Sequence, residues 1–210
     1  MSWKKETLER LVHDQKLDVL VVSFGGCCSN ALVDLLVKNG FVCRSAIWKK
    51  LLCHSPMFLD LDIPIIYIYG DPIKSYMSMK RRGDGWWSTN QKKMSNGRVK
   101  HGDGGVLLDL MRAQFEIFTS QSSKNVLVID NKDLFSDKQD LTKLLCGFLG
   151  REVKFLPITE RARKSKAEGL LTATDYAFFN EPKHKRFISK VRNYVPDSKL
   201  SERELTTNQA

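Results

Sequence analysis

The chain has 210 residues, of which 42% are hydrophobic and 28% charged, and these proportions exclude wholesale disorder and low-complexity or fibrous classes. Lys and Arg outnumber Asp and Glu by 34 to 24, so the net charge of +10 favours a polyanionic partner such as nucleic acid, an anionic membrane face or a phosphorylated ligand. No run approaches the roughly 18–20 apolar residues of a membrane span, and the N-terminus lacks an apolar signal region. We therefore expect no membrane span and a cytoplasmic location.

We expect one domain over residues 1–197 and a frayed tail over 198–210, because a chain of this length suits a single core. The five cysteines are an odd set without paired zinc-ligand spacing, so we expect reduced thiols and no metal site: Cys27, Cys28, Cys43, Cys53 and Cys146.

The first third of the chain reads as helix, strand, glycine loop and helix. Leu8, Leu11 and Val12 at helical spacing predict a helix over Glu6 to Gln15, and the apolar run from Leu17 to Phe24 predicts a buried strand. After a glycine pair, the apolar face between Ser29 and Asn39 predicts a second helix, which Gly40 ends.

The middle third continues the alternation. A short helix is predicted over 46–52, a buried strand over Ile63 to Tyr69, and a helix over Ile73 to Arg82 that Pro72 starts. From Gly83 to Gly105 the chain carries six glycines among basic residues, which predicts one long irregular loop.

The last predicted elements are an amphipathic helix over Val106 to Ser120, a strand over Asn125 to Asp130 and a helix over Asp140 to Leu149. Alternating strands and helices predict an α/β fold of three layers, with a mainly parallel sheet flanked by helices. In such a fold the ligand binds at the carboxyl ends of the strands, which here are followed by Gly25, Gly70 and Asn131.

The loop after the first strand has the composition of an anion-binding turn. It contains Gly25, Gly26, Cys27, Cys28, Ser29 and Asn30. Small residues let backbone N–H groups face a ligand, and the dipole of the following helix favours negative charge. The loop matches neither G-x-x-x-x-G-K-[ST] nor G-x-G-x-x-G, so a tight turn without a ligand remains the alternative.

Four segments in order resemble the sulfotransferases that use 3′-phosphoadenosine 5′-phosphosulfate. They are Phe24 to Leu32 for the 5′-phosphosulfate loop, Leu51 to Leu59 around His54, Ile66 to Pro72 followed by Ser78, and Val126 to Leu134 followed by Phe148-Leu149-Gly150. The resemblance spans roughly residues 17–150 and implies a P-loop, sulfotransferase-like fold. It also implies transfer of a sulfuryl group to a hydroxyl or amine of a small molecule or glycan, without a metal.

The resemblance also implies roles for individual residues. Ser29 and Asn30, with the loop amides, would bind the 5′-phosphosulfate, and Ser78 with Arg81 or Arg82 would bind the 3′-phosphate. Two residues compete for the role of general base. His54 matches the catalytic histidine of the cytosolic enzymes, whereas Asp34 matches the carboxylate that serves as the base of glycan sulfotransferases.

The sequence departs from the family at two cations. Gly26 or Cys27 stands where the loop Lys or Arg is expected, and Gly70 replaces the Arg expected before Asp71-Pro72. These departures favour an alternative that keeps the fold and binds a nucleotide or phosphate without transfer. A third alternative is a basic nucleic-acid-binding protein that uses the 83–105 segment and the C-terminal tail. Trp86 and Trp87 are predicted either to stack on a ring of the ligand or to anchor their segment.

Overall fold

The computed structural model describes residues 4–43, 54, 61–120, 125–136, 138–154 and 171–196. Strands and helices alternate along most of this part of the chain, in the following order: α1 (Lys5–Asp14), β1 (Leu20–Val22), α2 (Ser29–Lys38), β2 (Ile65–Tyr69), α3 (Pro72–Arg81), α4 (Asp84–Met94), α5 (Gly104–Thr119), β3 (Val126–Asp130), α6 (Asp133–Ser136), α7 (Lys138–Leu149), α8 (Ala173–Asn180) and α9 (Pro182–Arg192).

The three strands of the described residues form a parallel sheet in the order β1-β2-β3. Leu20 pairs with Ile65, and Ile65 pairs in turn with Val126, which fixes the register of the sheet. Strands β1 and β2 are buried along their whole length, as expected of parallel strands that are covered on both faces. All three carboxyl ends therefore lie at one edge of the sheet.

Alternate residues of each strand enter two separate cores, one on each face of the sheet. Tyr67 and Tyr69 face a core built with α1, α3, α5, α8 and α9, where the Tyr67 ring stacks on Phe118 at 4.7 Å. Ile66 and Ile68 face a second core built with α2 and α7. Helices thus flank a parallel sheet on both faces, which confirms the predicted α/β class.

The predicted loop between Gly83 and Gly105 is wrong, because residues Asp84–Met94 form α4. The segment has few strong helix formers, so the sequence gives no helical signal there. Tertiary contacts hold the helix instead. The fully buried Gln91 donates to the carbonyls of Gly102 at 2.9 Å and Asp103 at 3.0 Å, and its Oε1 accepts from the Gly102 N–H at 2.6 Å. Trp87 Nε1 also donates to the Gly102 carbonyl, at 2.9 Å.

Helices α8 and α9 were not predicted. Helix α8 begins with a capping box in which Thr172 and Asp175 exchange hydrogen bonds, a signal that sequence inspection can recognise. The predicted helix over 46–52 and the predicted tail over 198–210 lie outside the described residues. Among the helices in the described part of the chain, none combines the length and apolar composition that crossing a membrane requires.

Candidate anion-binding site after strand β1

The turn between β1 and α2 requires unusual backbone conformations at three positions. Gly25, Gly26 and Cys28 have positive φ angles of 89°, 71° and 59°. Glycine adopts such angles without steric cost. Cys28 carries a side chain, so its left-handed conformation costs energy, and α2 begins directly after it at Ser29. The chain therefore reverses within a few residues and delivers α2 to the edge of the sheet.

Packing against α3 fixes the position of this turn. A Cβ on Gly26 would lie only 2.8 Å from the backbone carbonyl oxygen of Ser75, so no other residue fits there without a shift. Cys27 is fully buried beside it, with its Sγ 3.2 Å from the Gly25 carbonyl and 3.5 Å from Ser75 Oγ. The loop is thus a rigid element held between β1 and α3.

The turn presents backbone donors that no described residue accepts from. The N–H groups of Gly26, Cys27 and Cys28 donate to no acceptor within the described part of the chain. Helix α2 carries no acidic residue in its first turn and no side-chain cap at its start, so the positive end of its dipole is not neutralised locally. Free amides and an uncapped helix start together favour an anion at this edge of the sheet.

Neither loop cysteine is activated as a nucleophile. Burial raises the pKa of the Cys27 thiol far above its ordinary value. Burial also raises the pKa of Cys28, and the nearby positive charge of Arg82 only partly offsets that effect. Both thiols therefore stay protonated near neutral pH, and the cysteines serve the loop as small residues.

His54 lies against this turn, although the residues on either side of it are outside the described part of the chain. Its Nδ1 is 2.7 Å from the carbonyl oxygen of Ser23, and its Cε1 would be 3.5 Å from a Cβ on Gly25. Because a carbonyl only accepts hydrogen bonds, Nδ1 carries the proton and donates. In the neutral imidazole the other ring nitrogen, Nε2, is then an acceptor, as the role of general base requires.

Among the cations predicted for the site, Arg82 is the one whose charge acts on the turn. Its charge acts on the Cys28 thiol, and its guanidinium lies 4.9 Å from the centre of the Trp86 ring. Trp86 is 42% exposed, which leaves ring surface open to a ligand. Trp87 differs, since it is anchored by its hydrogen bond and packs edge-on against Tyr76 at 5.0 Å.

The structure does not bring all of the remaining predicted residues to the turn. Ser78 lies on the buried side of α3, one turn after Ser75, whereas Arg81 is exposed on the same helix. Asn30 is exposed at the start of α2. Asp34 is exposed further along α2, and no described contact joins it to the turn or to His54. The structure thus brings His54 to the loop but not Asp34.

Asn90 belongs to this site and was missed. Its side chain is 1% exposed, its Oδ1 has no hydrogen-bond partner among the described residues, and this atom would lie 3.7 Å from a Cβ on Gly25. A buried amide oxygen without a donor is costly and points to a polar group beyond those described. Asn90 could not be found from sequence because α4, which carries it, has no helical pattern.

Gly70, the second glycine at a position where the sequence resemblance expects a cation, also has close neighbours. A Cβ on Gly70 would lie 2.5 Å from the side-chain nitrogen of Asn131. The adjacent Asp71 caps α3 by accepting from the N–H groups of Ile73 and Lys74, and it pairs with Arg192 Nε at 2.7 Å. A cation from α9 therefore reaches the neighbourhood of the Asp-Pro turn without standing before it in sequence.

Two further observations bear on the site. Within the described part of the chain, no three His, Cys, Asp or Glu side chains are placed to hold a metal ion together. The basic run over 161–166, which resembles a donor clamp of the sulfotransferases, lies outside the described residues.

A scan against models of protein families finds no match to this chain, and a search among curated proteins finds none either.

Proposed function

We propose that the turn after β1 binds the 5′-phosphosulfate of 3′-phosphoadenosine 5′-phosphosulfate, and that the protein transfers the sulfuryl group to a hydroxyl or amine of a small molecule or glycan. The observation that carries the proposal is the position of His54, whose Nδ1 is hydrogen-bonded to Ser23 and whose ring lies on Gly25. A base held in one tautomer beside a row of free amides suits proton abstraction next to a bound anion.

In the proposed transfer, every bond that forms or breaks and the proton that moves can be accounted for with the donor, the acceptor and the residues of this chain. The acceptor oxygen attacks the sulfur atom, the bond between sulfur and the bridging phosphate oxygen breaks, and 3′-phosphoadenosine 5′-phosphate leaves. The proton of the acceptor hydroxyl passes to Nε2 of His54. Negative charge develops on the leaving phosphate, and the amides of Gly26, Cys27 and Cys28 stabilise it, since preorganised donors are typically worth about 2–4 kcal/mol each.

Arg82 and Trp86 support the nucleotide part of the proposal. In it, the exposed ring of Trp86 stacks on the adenine, while Arg82, Arg81 and Ser78 lie towards the 3′-phosphate. Arg82 is held over the ring at 4.9 Å and so needs little ordering on binding.

Binding without transfer is the second candidate, and the two constrained glycines favour it. Gly26 and Gly70 stand where the family resemblance expects cations, and close neighbours at both positions oppose any larger residue. Loss of two preorganised cations removes stabilisation of the leaving group, whereas ground-state binding depends on it less.

The test is a transfer assay with the radiolabelled donor and a panel of phenols, amines and glycans, combined with nucleotide titration of each variant. His54→Ala should abolish transfer and leave nucleotide affinity intact, because the proposed role is proton removal. His13→Ala, which removes an exposed histidine on α1, is the control.

Three outcomes would change the assignment. Loss of transfer in Asp34→Asn but not in His54→Ala would move the base to the carboxylate. Nucleotide binding without transfer to any acceptor would favour the binding-only candidate. Unchanged transfer in both variants would remove both residues from the mechanism.

A further inference from the structure

We propose a second ligand site, for an organic ammonium compound, in the cavity that contains His184. This cavity, called here the His184 cavity, has a volume of about 620 Å³ and lies between α3, the start of α5, and the α8–α9 pair. It is large enough for an organic molecule of several heavy atoms rather than a bare ion.

The cavity is separate from the turn after β1 because it uses a different face of α3. Ser75 and Met79 of that helix face Gly26 and Gly25, whereas Tyr76 and Lys80 line the His184 cavity. The proposal of a second site therefore does not depend on whether the protein transfers a sulfuryl group.

His184 supplies an acceptor that no described residue pairs with. The residue is only 3% exposed, and its Nδ1 lies 2.9 Å from the carbonyl oxygen of Phe178 and 3.4 Å from a carboxylate oxygen of Glu181. Both of these partners accept, so Nδ1 carries a proton, and in the neutral imidazole Nε2 is an acceptor. Nε2 is buried and has no hydrogen-bond partner within the described part of the chain. A buried acceptor of this kind calls for a donor from a ligand or a trapped water.

A second acceptor lies near His184 Nε2. A Cβ on Gly105, which also lines the cavity, would lie 3.3 Å from Asp103 Oδ1 and 3.9 Å from His184 Nε2, so both acceptors border this glycine. Because Gly105 has no side chain, it does not cover either of them. A group that binds a carboxylate oxygen and an imidazole acceptor together must donate at least two hydrogen bonds. An ammonium group, with its three donors, does so.

Charge and aromatic surface favour the same chemistry. Among the described residues, the lining has four carboxylates, those of Asp103, Asp109, Asp175 and Glu181, and two lysines. Both lysines are paired, Lys80 with Asp175 at 2.7 Å and Lys183 with Asp109 at 3.2 Å.

The lining has two more carboxylates than lysines in a chain whose net charge is +10, and one of those carboxylates, Asp109, also pairs with Arg112 at 3.1 Å. The rings of Tyr76 and Phe178 also line the cavity, and aromatic faces attract organic cations. An anion would meet unfavourable charge here, and an amine-bearing molecule would not.

The test is a titration of the ¹⁵N-labelled full chain with 1,4-diaminobutane and, as a neutral match, with 1,4-butanediol. The imidazole nitrogens of His184 are followed by long-range ¹H–¹⁵N correlation. The diamine should shift the Nε2 resonance saturably, and the diol should not. Gly105→Ala places a methyl group beside both acceptors and should weaken diamine binding about tenfold or more, while alanine itself suits a helix.

Gly147→Ala is the matched control, since it makes the same change in α7 where a Cβ would meet nothing within 4 Å. Diamine affinity should be unchanged in this variant. Absence of a saturable shift up to about 10 mM diamine, a weak-binding limit, would overturn the proposal. Equal shifts with the diol would overturn amine recognition, and full affinity in Gly105→Ala would place any binding elsewhere.

Discussion

Gly26→Ala should destabilise the fold more than glycine substitutions of the same backbone type elsewhere. Two costs add at this position. An L-residue at the observed φ of 71° costs about 1–2 kcal/mol, because its Cβ crowds the backbone. The new Cβ would also lie 2.8 Å from the Ser75 carbonyl oxygen, and the shift that relieves such a contact costs about 1–3 kcal/mol. We therefore expect a loss of about 2–5 kcal/mol, a large share of the roughly 5–15 kcal/mol of a typical domain.

Gly150→Ala separates the two costs. Gly150 has a φ of 63°, and a Cβ there would meet nothing within 4 Å, so only the conformational cost of about 1–2 kcal/mol applies. Urea denaturation of both variants measures the difference, which should appear as a lower midpoint for Gly26→Ala at an unchanged slope. Equal midpoints would refute the packing of the turn against α3.

Two other substitutions test the contacts that shape the rest of the molecule. Burial opposes ionisation of Asp175, but hydrogen bonds from Lys80 and Thr172 outweigh it and lower its pKa below the ordinary 3.8, so its stabilisation is present above that pH and lost as the pH falls below it. Lys80→Met should therefore cost about 1–3 kcal/mol at pH 7 and progressively less as the pH falls below 3.8, measured by urea denaturation across that range. Gln91→Ala should cost about 2–4 kcal/mol by the same assay, since it leaves groups of Gly102 and Asp103 without partners, and an effect under about 0.5 kcal/mol would contradict the docking of α4.

The sequence was most informative where the local pattern and the tertiary structure agree. Continuous apolar runs predicted the three described strands, because strands buried on both faces need such runs. Apolar residues at helical spacing predicted most of the helices. The predicted bounds lie within a few residues of the observed ones. The resemblance likewise brought His54 and the Gly25 turn together although they lie far apart in the chain. Both the apolar patterns and the resemblance can be read from the residue types along the chain alone.

The missed features depend on contacts between distant segments. Helix α4 is held by Gln91 and by the indole of Trp87, which bind the same carbonyl of Gly102, and neither bond leaves a trace in the local pattern. Asn90 and His184 became noteworthy only once their burial and their unpaired atoms were known. Polar side chains without a periodic signal are thus the part of a site that a single sequence conceals.

Isothermal titration with 3′-phosphoadenosine 5′-phosphate tests the central claim, that the turn after β1 is part of a nucleotide site. We predict one site per chain and an affinity well above that for inorganic phosphate. Arg82→Ala should weaken binding about 10- to 100-fold, because a charge-assisted bond contributes about 1.5–3 kcal/mol. Arg186→Ala removes the same charge from an exposed position on α9, outside the proposed site, and should change the affinity much less. No heat of binding, or equal losses in the two variants, would contradict the account.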